Sequence, residues 1–141
     1  MITANSYNIN NEKRCLKVAI NYKCILAYGL TEEELDKIKK RRLKVREVTE
    51  NEASSRVIDI LCGEITENTG DELPKDEKAL IFNGYNDKEL RETIKFIRRF
   101  IEGGVLAVVT EASSKWTFKE LIEHLVEERE WYKSQQKEGG K

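Results

Sequence analysis

Apolar residues along this chain fall into short runs closed by glycine, each followed by a stretch with apolar positions three and four residues apart. The first run is Cys24 to Tyr28, closed by Gly29; a short apolar run ended by a turn signal predicts a buried strand. In Leu30-Thr31-Glu32-Glu33-Glu34-Leu35, Thr31 can cap a helix while Glu34 reaches back to the cap. Leu30 and Leu35 are placed to form a hydrophobic staple across that cap. The helix runs through Ile38 and ends among Lys39, Lys40, Arg41 and Arg42, where cations suit the carbonyl end of the dipole. Leu43, Val45 and Val48 predict a second strand, and Lys44, Arg46 and Glu47 between them suggest a sheet edge. A helix through Val57, Ile58 and Leu61 stops at Gly63.

After an acidic stretch the same grammar returns. Ala79 to Phe82 predicts a strand, Gly84 stands where Gly29 stood, and Asn86 with Glu89 forms a capping box between Tyr85 and Leu90. The next helix carries Leu90, Ile94, Ile97 and Ile101 on one face and is ended by Gly103-Gly104. Val105 to Val109 is uninterruptedly apolar and reads as a strand buried on both sides. A last helix follows the cap at Thr117 and Glu120 and turns Phe118, Leu121, Ile122 and Leu125 inward.

Residues 25–35 (ILAYGLTEEEL) align with 80–90 (LIFNGYNDKEL) without a gap, and 45–55 with 106–114 once two residues are skipped. The expectation is a duplicated unit, half-repeats 23–63 and 78–132, joined by an acidic linker at 64–77 that holds six acids, one lysine and the only proline. Strand–helix alternation favours an α/β fold with a mostly parallel sheet and helices packed on it. Four strands in the order 2-1-3-4 are expected, with Leu16, Val18 and Ile20 offering a fifth. Residues 1–14 and 134–141 read as flexible tails around one α/β domain at 15–133.

Composition narrows the class. The 141 residues carry a net charge of −1, which excludes a histone-like or strongly acidic protein. Absence of an apolar run of about 20 residues argues against a membrane span, and the first residues lack a signal-peptide core. Cys15, Cys24 and Cys62, odd in number and without C-x-x-C spacing, read as reduced thiols in a cytoplasm.

Catalytic chemistry is hard to find. Neither strand-to-helix turn holds a phosphate-binding glycine motif. His124, the only histidine, shares a face with Glu120 and Glu128, a spacing that could hold a metal, but a site with one histidine and no organising outer partners is weak and a solvated stripe is the simpler account. No metal or cofactor is expected, and the balance leans away from an enzyme. Thr110, Ser113, Ser114 and Thr117 cluster beside Lys115 ahead of the last helix. An anion or small-ligand site there is one alternative; turn formation and capping is the simpler account.

Two features suggest binding. Seven of the ten residues from Lys37 to Arg46 are basic (37, 39, 40, 41, 42, 44 and 46). Lys39, Lys40, Arg41, Arg42, Lys44 and Arg46 could meet the phosphates of a nucleic acid, although stacking aromatics are missing and a guarded helix end and edge strand are the favoured account of the charge. Aromatic residues on the polar side of helices are the second feature: Phe96 lies off its helix's apolar stripe, and Trp131, with Tyr132 beside it, projects opposite Phe118 and Leu125. Such residues favour an interface. A non-catalytic module that contacts another protein, or itself as a homodimer, is the leading expectation.

The strand–glycine–capped-helix opening, the acidic linker and the series Thr110, Trp116-Thr117, Glu120-Leu121 and Leu125 resemble an uncharacterised bacterial family, domain of unknown function 3783. The resemblance spans about residues 24–132 and is strongest in the second half. Members of that family carry Asn where this chain has Ser113. The resemblance implies a bacterial cytoplasmic protein with a repeated α/β arrangement, and brings no activity or catalytic residues.

Overall fold

A computed structural model describes residues 22–63 and 70–139 of the chain. The expected tail 1–14, the fifth strand at Leu16 to Ile20 and the first part of the linker lie outside the described residues. Strand β1 (Cys24–Tyr28) leads to helix α1 (Glu32–Lys40), strand β2 (Val45–Glu47), a 3-10 turn (Glu50–Glu52) and helix α2 (Val57–Cys62). The second half gives β3 (Ala79–Asn83), α3 (Asp87–Ile97), β4 (Val105–Val108), the one-turn α4 (Glu111–Ser114) and α5 (Phe118–Gly139). Two of the three sequence-predicted capping boxes form in full; at the third the Glu120 amide donates to Thr117 Oγ1. The Glu34 amide donates to Thr31 Oγ1 at 3.1 Å and the Thr31 amide to Glu34 Oε1 at 2.9 Å; Asn86 and Glu89 repeat the exchange.

The sheet order is β2-β1-β3-β4. β1 pairs with β2, and β3 with β4, in parallel, while the central β1·β3 pairing is antiparallel. Two of three pairings are thus parallel, each made within one strand–helix–strand unit. On one face α2 and α5 bury Leu26, Ile60, Ile81, Phe118 and Ile122; on the other α1 and α3 bury Ile25, Ile38, Phe82 and Ile97. Each large side chain so buried contributes about 1.5–3 kcal/mol relative to exposure.

The central seam relates the halves residue by residue. Leu26 lies opposite Ile81, the residue at its own position in the gap-free alignment. Lys78 pairs with Glu34 at 2.7 Å, and Lys23 pairs with Glu89; each lysine of one half thereby meets the capping glutamate of the other. Outside the sheet Arg56 bridges Thr117, with the Val57 amide donating to the Trp116 carbonyl and the Phe118 amide to that of Ser55, both at 2.9 Å. Corresponding residues of the two halves thus meet across the sheet's centre and again at Arg56 and Thr117.

Three expectations change. β4 is not buried on both sides: it forms an outer edge, and Val108 is 43% exposed. Helix α3 ends at Ile97, with Arg98 as its cap, yet Ile101 still reaches the core through a turn. α5 continues to Gly139, beyond the boundary at 133. Within the acidic segment, Leu73 is only 3% exposed. Its amide donates to Glu50 Oε2 at 3.1 Å, and the Tyr28 hydroxyl donates to the Pro74 carbonyl at 2.9 Å, so residues 71–74 pack on the body.

Candidate functional site

In an α/β sheet, ligands usually sit at the carboxyl ends of parallel strands. The antiparallel seam sends the carboxyl ends of β1 and β3 to opposite ends of the sheet, so they share no crevice. Each turn is also filled by the other half. At Gly29 (φ +77°) an added Cβ would come well inside 3.0 Å of the Glu77 carbonyl oxygen, and at Gly84 (φ +79°) it would come within 2.9 Å of Lys23 Cα. These glycines therefore serve close backbone approach rather than a phosphate. Burial pushes the Glu34 carboxyl up, but hydrogen bonds from Lys78 and from the Thr31 amide outweigh it and hold it below its ordinary range.

The cluster at 110–117 is occupied by capping. Ser113 Oγ accepts from the Thr110 amide at 2.9 Å, Ser114 Oγ donates to the Glu111 carbonyl at 2.7 Å, and Thr117 Oγ1 accepts from the Glu120 amide at 3.1 Å. Ser113 and Ser114 are buried, whereas Lys115 points to solvent.

The basic segment is dispersed over the body. The Arg41 guanidinium lies 4.4 Å from the Phe96 ring centre, Lys37 Nζ 5.3 Å from that of Phe100, and Lys44 Nζ 5.1 Å from that of Tyr22. Arg46 pairs with Glu52 at 2.7 Å. Lys39, Lys40 and Arg42 remain as exposed cations at the end of α1. The same contacts correct the expectation for Phe96: it is half-buried, edge-on to Phe100 at 5.3 Å and roofed by Arg41. A long cationic side chain can cover apolar surface while keeping its charge wet.

Trp131 and Tyr132 are where the sequence placed them. Phe118, Leu121 and Ile122 anchor α5 in the core, and Leu125 and Val126 lie at its margin. The last tie is Arg129, whose guanidinium grips Glu77 through two bonds of 2.8 and 2.6 Å. That grip holds the Glu77 carboxyl below its usual range. From Glu130 to Gln136 every residue is exposed, including Trp131 at 57% and Tyr132 at 55%, their rings edge-on at 5.1 Å. A groove of about 270 Å³ between β4 and α5 is lined by Gly104, Val105, Leu106, Leu125, Arg129 and Tyr132.

The edge of β4 is the feature the sequence reading missed. Its apolar run suggested full burial, although the strand order 2-1-3-4 already made it outermost. The remaining candidates are quiet. His124 stacks edge-on against Trp116 at 5.2 Å and faces Glu128, and among the described residues no three groups converge as metal ligands. Cys24 is a buried free thiol whose pKa burial pushes up to about 11, against Arg46 and Lys44. The expectation of reduced thiols fails at Cys62, which is disulfide-bonded; Cys15 lies outside the described residues.

With both the two halves and the exposed helix end in view, the comparison with known families falls on one of them. Residues 78–132 match the family model of DUF3783, a domain of unknown function. The DUF3783 segment starts at Lys78, which pairs with Glu34, takes in β3, α3, β4 and α4, and ends on α5 at Tyr132. Its boundaries thus enclose the second strand–helix–strand–helix half together with both exposed aromatics. No curated protein and no solved structure matches the chain. Among the described residues no helix is long and apolar enough to cross a membrane.

Proposed function

We propose that this protein is a non-catalytic α/β module, built from a duplicated half-unit, that works by contact with another protein, a second copy of itself included, through the distal part of α5. The observation that carries this reading is the exposure of Trp131 and Tyr132 beyond the Arg129–Glu77 anchor. A projecting helix of about ten residues is marginal in water on its own. Large aromatic residues spent on such a stretch gain most when a partner covers them, because they dominate interface energies. The symmetric contacts about Leu26 and Ile81 support the duplicated unit.

Light scattering across a concentration series tests the reading, with Trp131→Ala and Tyr132→Ala beside the wild type. Association weakened by either substitution at unchanged fold is expected. A size indifferent to both substitutions, with no protein held by the wild type that the variants lose, would refute it.

A further inference from the structure

Helices α1 and α3 cover one face of the sheet, and the cations on their outer side are left without acid partners. Because β1 and β3 run antiparallel, the two helices also run antiparallel, with Arg41 over the Phe96 ring at 4.4 Å and Lys37 over that of Phe100 at 5.3 Å. Leu35 and Ile38 of α1 are buried, as are Thr93 and Ile97 of α3. Helical spacing therefore turns Lys37 and Lys40 on one helix, and Lys88 and Lys95 on the other, away from the sheet. All four are exposed, as are Arg41 at the end of α1 and Arg99 in the turn after α3. Glu33 and Glu92 are the acids on the same two stripes. Among the described residues none of these six cations is in an ion pair. Outside residues 37–44 and 88–99 the pattern reverses: Lys23, Arg46, Arg56, Lys78, Lys119 and Arg129 meet carboxylates, and of the described cations there only Lys75, Lys115 and Lys133 do not.

We propose that this helical layer binds the phosphate backbone of a nucleic acid, by charge and without reading bases. The face lies apart from the contact assigned to α5 and does not depend on it. Cations at the end of α1 suit its dipole, but Lys88 stands in the first turn of α3, where the dipole disfavours it. Helix capping therefore does not account for the set. A polyanion relieves the repulsion among these charges and releases its own condensed counterions in exchange. The rings fix the geometry: a cation resting on a ring face is held in place, and a guanidinium stacked through its plane keeps its N–H edge for phosphate oxygens. Residues four apart on one helix are about 5–6 Å from each other, and packed helices lie about 8–10 Å apart. Such a spread matches a repeating anion rather than a single phosphate group.

The surface between the cations favours nucleic acid over an anionic membrane. Helices that lie in a membrane interface insert an apolar face beside their cations. Here the exposed large apolar residues among those described are Tyr22, Val108, Trp131 and Tyr132, none of them on α1 or α3. Charge on the other layer makes binding one-sided. There α5 exposes Glu120, Glu123, Glu127 and Glu128, so a phosphate chain is drawn to one side of the molecule and repelled from the other. The net charge of −1 thus conceals two layers of opposite sign. Residues 1–21 carry three cations and one acid, a surplus of the same sign as the α1–α3 layer.

Fluorescence anisotropy of the full-length chain tests this, with a labelled mixed-sequence DNA duplex and a labelled single-stranded RNA of the same length, from about 25 to about 200 mM KCl. Binding that weakens with salt is expected, with a log–log slope of about −4 to −5 on the duplex where roughly five phosphates are met. Lys95→Glu combined with Arg99→Glu should weaken binding at least about tenfold and flatten the slope by about two. Both side chains are exposed and unpaired, so the fold keeps its contacts. Lys37→Gln with Lys40→Gln gives the same reading from α1 should the α3 pair disturb folding. Lys115→Glu with Lys133→Glu makes the same change in net charge away from this face and should leave binding within about twofold. Trp131→Ala should leave it unchanged, which separates this face from the α5 contact. No salt-dependent binding to either nucleic acid at the lowest salt overturns the proposal, and so does equal weakening by the two glutamate pairs. Phosphatidylserine vesicles run alongside; binding to vesicles with none to nucleic acid overturns it in favour of a membrane surface.

Discussion

Gly29 and Gly63 share a left-handed backbone, with φ of +77° and +75°, but not their surroundings. At Gly63 an added Cβ would meet nothing within 4 Å, whereas at Gly29 it would strike the carbonyl of Glu77 and approach Lys78 Cα at 3.4 Å. Gly63→Ala therefore costs the left-handed penalty of an L-residue, about 1–2 kcal/mol, less the roughly 0.4–1 kcal/mol returned by a stiffer unfolded chain. Gly29→Ala carries the same conformational cost and adds overpacking against backbone, typically about 1–3 kcal/mol. The backbone it displaces is the Glu77–Lys78 peptide; Lys78 pairs through its side chain with Glu34 and through its carbonyl with the Val105 amide, so relaxation loosens the seam between the halves. Gly29→Ala should then be less stable than Gly63→Ala by about 1–3 kcal/mol, a large share of the roughly 5–15 kcal/mol of a domain this size. Urea unfolding followed by circular dichroism reads the difference as a lower midpoint at unchanged slope. Equal midpoints for the two variants would sink the claim that the other half's backbone fills this turn.

Two further predictions address parts of the chain that the sequence left unsettled. Leu73→Ala should destabilise the protein by about 2–4 kcal/mol in the same assay, the usual cost of emptying a buried leucine site; an effect below about 0.5 kcal/mol would make residues 71–74 a linker after all. Glu77 contributes stability that is fully present above its unfolded value of 4.5 and is lost as pH falls through its lower folded value, because Arg129 holds the ionised form. Glu77→Gln should cost about 1 kcal/mol at neutral pH and flatten the decline of stability below about pH 4.5, which thermal melts from pH 7 down to pH 3 would show; parallel wild-type and variant curves would refute it.

Local signals in this sequence carried the elements, because capping boxes and staples act within four or five residues. Thr31 with Glu34 and Asn86 with Glu89 form the hydrogen bonds their spacing demands. The strand order was legible too, since two similar units must meet at their first strands if each keeps its second strand outside. What did not follow from pattern was direction at the centre. The alignment of 25–35 with 80–90 is blind to whether the two first strands run together or opposed, and only packing of the four helices in pairs settles it. Burial of β4 was misjudged for a related reason: an all-apolar run reads as a strand covered on both faces, and the run itself does not show that Val108 stays 43% exposed at the edge of the described sheet. The half-burial of Phe96 did not follow from the sequence, because Arg41, the cap residue of α1, lies over its ring. Trp131 is exposed, as a helix continuing past Arg129 implies, and Tyr132 beside it is exposed as well.

The antiparallel seam also closes the strand-end crevices of the sheet. A parallel sheet gains its ligand site when neighbouring strands end side by side and their crossovers part to opposite faces. Here the strands that meet at the centre run oppositely, so each strand end is abutted by the start of its neighbour: Gly29 by Glu77 and Lys78, Gly84 by Tyr22 and Lys23. Ion pairs from Lys78 to Glu34 and from Lys23 to Glu89 close the same two corners. The symmetry that stabilises the middle of the molecule thus fills both crevices at once. Among the described residues the sheet ends at β2, which carries Arg46 and Glu47, and at β4, which carries no charge.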